Sequence, residues 1–310
     1  MTLAEINNLW DEYKEKYDID EDVKITDVCY DTDEYVEGSF DLFELLRGEY
    51  ILHLNPRFHL YSENYIKFIL FHEFTHFYDF IKCDIEDRQD FFIYMNAYSE
   101  YHACRVTLAR FIEQLTITSF DVDKIQIPGP FKEISVRKLI TEALYRVKFS
   151  YASFHITYDP SEFVATFRQL MYLFGYLSLF QKDEYMVTHS LAFLGMENEN
   201  YYKLYQELKK EDVDVDQILF YTREVYNSAF LEFIREFIRR NYDDDLYTEE
   251  ELDELTTDNY QEFIDALDDK MDEFYDAQAA FEAHFIMNYG SSLFPDKKED
   301  GIFPEELTLS

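Results

Sequence analysis

His72-Glu73-Phe74-Thr75-His76 reads H-E-x-x-H. On an α-helix, positions i and i+4 stack on one face, so His72 and His76 can present both imidazoles to a single metal ion. Glu73, beside the first histidine, can reach a water on that metal and act as a general base. A catalytic zinc takes three protein ligands and keeps one position open, so a third ligand has to come from elsewhere. The next helical stretch, about residues 91–115, offers Glu100, which lies 24 residues beyond His76. That distance lets the first helix end, the polar segment Cys83 to Arg88 turn, and a second helix return antiparallel. Ala103, one turn on, is small enough for the two helices to approach closely.

Neighbouring groups fall into secondary roles. His102 is an alternative third ligand, but on a helix it points about 200° away from Glu100, so only one of the two faces the metal. Asp79 can orient a ligand histidine through its other ring nitrogen. His102, His155, Tyr78 and Tyr101 are candidate donors to a developing oxyanion. His53, His59, His155, His189 and His284 have no metal-ligand spacing and read as ordinary polar or packed residues.

The elements that must hold these residues are legible. Ser62 is a candidate N-cap with Glu63 in the first turn. Ile66, Ile69, Leu70, Phe74 and Phe77 then recur at helical spacing, with no Gly or Pro from Ser62 to Cys83. Ahead of this helix, Glu49 to Leu54 reads as a strand ended by Asn55-Pro56. Val23 to Tyr30 is a second strand candidate, and residues 3–17 an acidic helix.

His72, Glu73, His76 and the helical Glu100 together resemble the gluzincin branch of the zinc metallopeptidases. Over roughly residues 20–118 the chain is also similar to the ImmA/IrrE-like metallopeptidases of bacterial and prophage regulation. The resemblance implies a small sheet packed on two ligand helices, one zinc ion, and peptide hydrolysis with Glu73 as base, on a regulatory protein such as a repressor. Thr75 and Phe80 depart from the second group, which often carries Gly and His there. Two imidazoles and one carboxylate leave zinc with residual positive charge, which brings the pKa of a bound water to about 7.

Charge is the second feature. Asp and Glu total 65 against 28 Lys and Arg, a net charge of −37. Such a field opposes binding to nucleic acid or anionic lipid and favours basic protein partners. The excess peaks in 241–275, where Asp243, Asp244, Asp245, Glu249, Glu250, Glu251, Asp253 and Glu254 precede Lys270, the segment's single base. Interspersed Leu246, Leu252, Leu255, Phe263 and Leu267 argue for acidic amphipathic helices there. Cys29, Cys83 and Cys104 form no C-x-x-C pair, and an odd count argues against a disulfide framework. With no secretory-type start and no membrane-length apolar run, a reducing, cytoplasmic setting is expected.

The expected fold is therefore α+β and mostly helical. Residues 1–125 form a small zincin-like metallopeptidase domain, its sheet packed on the two ligand helices. A break at Ile125 to Pro130 leads into an acidic all-α region over 126–290, and 291–310 is a loose tail. Helices are expected at about 131–153, 160–182, 184–195, 198–210, 213–240, 247–268 and 270–289. Two function classes fit: a zinc peptidase acting on a basic regulatory protein, and a non-enzymatic acidic protein that mimics nucleic acid in a basic groove.

Overall fold

A computed structural model of the chain describes residues 1–19, 22–32, 36–82, 94–113, 125–157, 159–180, 182–196, 198–241, 247–256, 259, 260, 263 and 279. The turn expected at 83–88, Asp243 to Asp245, most of the helix expected at 270–289, and the tail from 291 lie outside them.

Helix α1, Leu3–Lys16, starts on a capping box: Glu5 N–H donates to Thr2 Oγ1 while Thr2 N–H donates to the Glu5 carboxylate. Its inner face buries Ile6, Trp10 and Tyr13. The chain then forms strands β1 (Asp27–Cys29) and β2 (Gly38–Phe40), helix α2 (Leu42–Leu46) and strand β3 (Ile51–Leu54). The sheet order is β1-β3-β2, with β1 parallel and β2 antiparallel to β3. The first strand is shorter than the apolar run suggests, because α1 takes the backbone groups that would extend it. Trp10 Nε1–H donates to the Val23 carbonyl at 2.8 Å, and Asn7 makes two bonds to the Ile25 backbone at 3.0 and 3.1 Å.

Helix α3, Glu63–Lys82, carries the motif. The Ser62 hydroxyl accepts from Tyr65 N–H at 3.3 Å, as an N-cap does. Packing outweighs the cap. Leu70, Phe71, Phe74 and Phe77 are buried, each worth roughly 1.5–3 kcal/mol against about 1 for a cap. Trp10 meets the Phe74 and Phe77 rings at 5.4 and 5.1 Å. Thr75 is buried and exchanges a hydrogen bond with Tyr13 Oη at 2.9 Å, which ties α3 to α1.

The helix that carries Glu100 enters through a π-helical turn, Tyr94–Ser99, and continues as α4, Glu100–Glu113. A short hairpin pairs β4 (Gln126–Ile127) with β5 (Ile134–Ser135) around the Pro-Gly-Pro break. Helices α5 (Val136–Thr157), α6 (Pro160–Leu177), α7 (Asp183–Leu194), α8 (Glu199–Leu208), α9 (Val215–Asn241) and α10 (Glu249–Asp253) follow. Asp159 caps α6 through Ser161 N–H at 2.8 Å, with Pro160 at its first position. Gly195 ends α7 with φ 79°. Within the stretch expected as a helix at 247–268, the described helix spans Glu249–Asp253.

The fold is thus α+β, mostly helical, with a small sheet near the N-terminus. Its buried apolar residues fall into two clusters. The smaller joins α1, the sheet and the inner face of α3. The larger joins Tyr101, Cys104 and Leu108 of α4 to α5 through α9. Gly175 brings α6 against α4: a Cβ there would strike the Tyr101 carbonyl oxygen and stand 2.8 Å from Cys104 Cβ. Among the described residues no helix is long and apolar enough to cross a membrane.

Candidate metal centre

Helices α3 and α4 pack together and bring His72, His76 and Glu100 to one point. The His72 and His76 Nε2 atoms stand 3.1 Å apart. Glu100 Oε2 lies 3.6 Å from His72 Nε2 and 3.4 Å from His76 Nε2. Ligands about 2.0–2.2 Å from a tetrahedral zinc are about 3.3–3.6 Å from one another. The two Glu100 separations fall in that range, and the histidine pair at 3.1 Å falls just short of it. Glu100 Oε2 is buried with no hydrogen-bond partner among the described residues, a costly arrangement unless something binds it. Burial opposes ionisation of Glu100, yet the two histidines hold its carboxyl well below the usual carboxylate range. The donor set, two imidazoles and one ionised carboxylate, fits zinc.

A hydrogen-bonded chain fixes the second histidine. Ser99 Oγ donates its one proton to Asp79 Oδ2 at 2.7 Å. The same oxygen must therefore accept from His76 Nδ1–H, at 2.7 Å, which makes Nε2, the ring nitrogen facing Glu100 and His72, the atom available to a metal. Asp79 is buried and also binds His102 Nδ1 at 2.7 Å. Asp79 is thus linked to His76 through Ser99, a residue that sequence reasoning missed. Ser99 is the last residue of the π-helical turn, and such turns often mark functional sites. His102 is turned to Asp79 and is not among the three converging ligand atoms.

Glu73 is buried at 6% exposure. Burial pushes its carboxyl up to about 7, with the Glu100 charge adding to that and His72 opposing it. Its room comes from strand β2, where a Cβ on Gly38 would stand 2.9 Å from Glu73 Cγ. Of the oxyanion candidates, Tyr101 is buried in the helical core, and His155 faces Glu232 at 3.7 Å, among the C-terminal helices. Two residues of α6 that the spacing did not suggest stand closer. Tyr172 meets the His72 ring edge-on at 5.9 Å, and Arg168 Nε lies 3.8 Å from Glu100 Oε1. Burial, then the Glu100 charge, pushes the Tyr172 phenol well above its ordinary value, so it remains a proton donor. Their i, i+4 spacing on an amphipathic helix was the available signal.

No family model matches the chain, and neither a curated protein nor a solved structure matches it significantly.

Proposed function

We propose that the chain is a zinc-dependent metallopeptidase acting on a basic protein substrate in a reducing, cytoplasmic setting. The observation that carries this reading is the triangle of His72, His76 and Glu100 donors at 3.1, 3.4 and 3.6 Å, with the Glu100 oxygen otherwise unpartnered. These three residues would hold the ion, and bound zinc supplies a polarised carbonyl and a water acidic near neutral pH. Glu73 accepts the proton of the attacking water and returns it to the leaving amine. Its environment suits the task, because burial raises the carboxyl's affinity for a proton while a bound cation would favour the ionised form that accepts one. Asp79 and Ser99 hold the His76 tautomer, and the protonated Tyr172, whose ring meets that of His72, is a candidate donor for the developing oxyanion. The negative field of the molecule favours a basic substrate.

Protein purified without chelator should carry zinc that His72→Ala removes, and it should cleave peptides from a basic library. Glu73→Gln should lose about 10²-fold or more in kcat with zinc retained. Trio-bound zinc below about half an equivalent, with no gain on adding metal, counts against this reading. The net charge of −37 favours one alternative, an acidic binding protein on the same scaffold. That alternative would keep full function in Glu73→Gln.

A further inference from the structure

The sheet has a second face, turned away from α3. Strand β3 alternates Leu52 and Leu54, buried, with Ile51 and His53, half-buried. Strand β1 runs parallel to it with Cys29 level with His53. Side chains level on neighbouring strands share a face. Asp31 follows two residues after Cys29, and Glu44 reaches in from α2. His53 Nδ1 lies 2.8 Å from Asp31 Oδ1, and His53 Nε2 lies 2.9 Å from Glu44 Oε2. Ligand atoms of Cys29, Asp31 and His53 all lie within 4.8 Å of one another. A concavity of about 450 Å³, lined by Asp31, Ser39, Asp41, Glu44 and His53, opens on the carboxylate and the imidazole.

We propose that Cys29, Asp31 and His53 form a second, thiolate-bearing site for a zinc-type divalent cation. Sulfur, imidazole nitrogen and carboxylate oxygen together suit a borderline ion, and the concavity supplies water for a fourth position. Glu44 takes the role that carboxylates take behind metal-bound histidines: it accepts from Nε2–H, while Nδ1, which donates to Asp31 in the metal-free chain, is the nitrogen a cation takes in exchange for that proton. A plain ion pair would explain the two carboxylates on His53 but not the thiol set level with the ring. Asp27, Asp31 and Glu44 also surround that thiol with negative charge, which a divalent cation neutralises. Sequence spacing hid the site, because parallel register joins residues 24 apart. Bound there, a cation clips β1 to β3 on the face opposite the motif helix.

Cobalt(II) titration of the full chain tests this independently of the His72, His76 and Glu100 centre, which contains no sulfur ligand. A thiolate-to-cobalt charge-transfer band in the near ultraviolet is expected. Cys29→Ser should abolish the band and one equivalent of binding. His53→Gln, which keeps the thiol, should do the same with unchanged circular dichroism. Cys83→Ser, Cys104→Ser and His72→Ala should each keep the band. A folded wild-type chain without the band, or a band that survives Cys29→Ser, overturns the proposal. Loss of metal from the motif centre alone leaves the band in place and bears only on the peptidase reading.

Discussion

Ser99 has one proton, and giving it to Asp79 commits His76 to the tautomer a metal needs. Ser99→Ala should therefore weaken metal binding at the motif about 10–100-fold, the usual cost of losing such a supporting group, while the fold persists. Competition titration with a chromophoric chelator reads this directly. Glu73 gives a second measurable consequence. Its carboxyl stands near 7 in the folded chain against an ordinary value of 4.5. Between those values the native state binds more protons than the unfolded one, so stability falls as pH rises through the window. For metal-free protein the fall is about 3 kcal/mol between pH 4.5 and 7. Urea unfolding across that range should show it in wild type, and the Glu73 share should vanish in Glu73→Gln. His72, Glu73 and His76 were legible because their spacing is local. Ser99 and Tyr172 were not, since each acquires its role only when two helices meet. His53 and Cys29 likewise read as unremarkable until β1 and β3 align.

At the scale of elements, the motif helix was legible from its apolar period and its lack of Gly and Pro, and its cap fell on Ser62 as expected. The π-helical turn before Glu100 was not, because no residue type encodes it strongly. Strand β2 was equally hidden: Gly38-Ser39-Phe40 has little strand propensity, and its place is set by pairing with β3. Gly175 shows how such contacts are enforced. It lets α6 lie against α4, which carries Tyr172 and Arg168 toward the centre. Gly175→Ala should push the helices apart and cost about 1–3 kcal/mol, read as a lowered urea midpoint. Zinc affinity should fall with it only so far as α4 itself shifts.

At the scale of the molecule, a charge of −37 should govern encounter more than chemistry. For a basic peptide, kcat/KM should drop as ionic strength rises from about 0.01 to 0.15 M, where the screening length shrinks from about 30 to 8 Å. A neutral peptide of equal length should show little change. Apolar spacing and the Gly and Pro breaks made the helical bulk readable in advance, whereas the way apolar residues partition between two clusters was not, because that depends on which faces of α3 and α4 turn inward. The motif histidines ride on a helix whose inner face belongs to the first cluster, and Glu100 on a helix embedded in the second. An ion gripped by all three would therefore act as a rivet across a seam. Stripping it would leave both halves standing while the joint between them loosens, so metal supply would set the mechanical integrity of the protein as well as its reactivity.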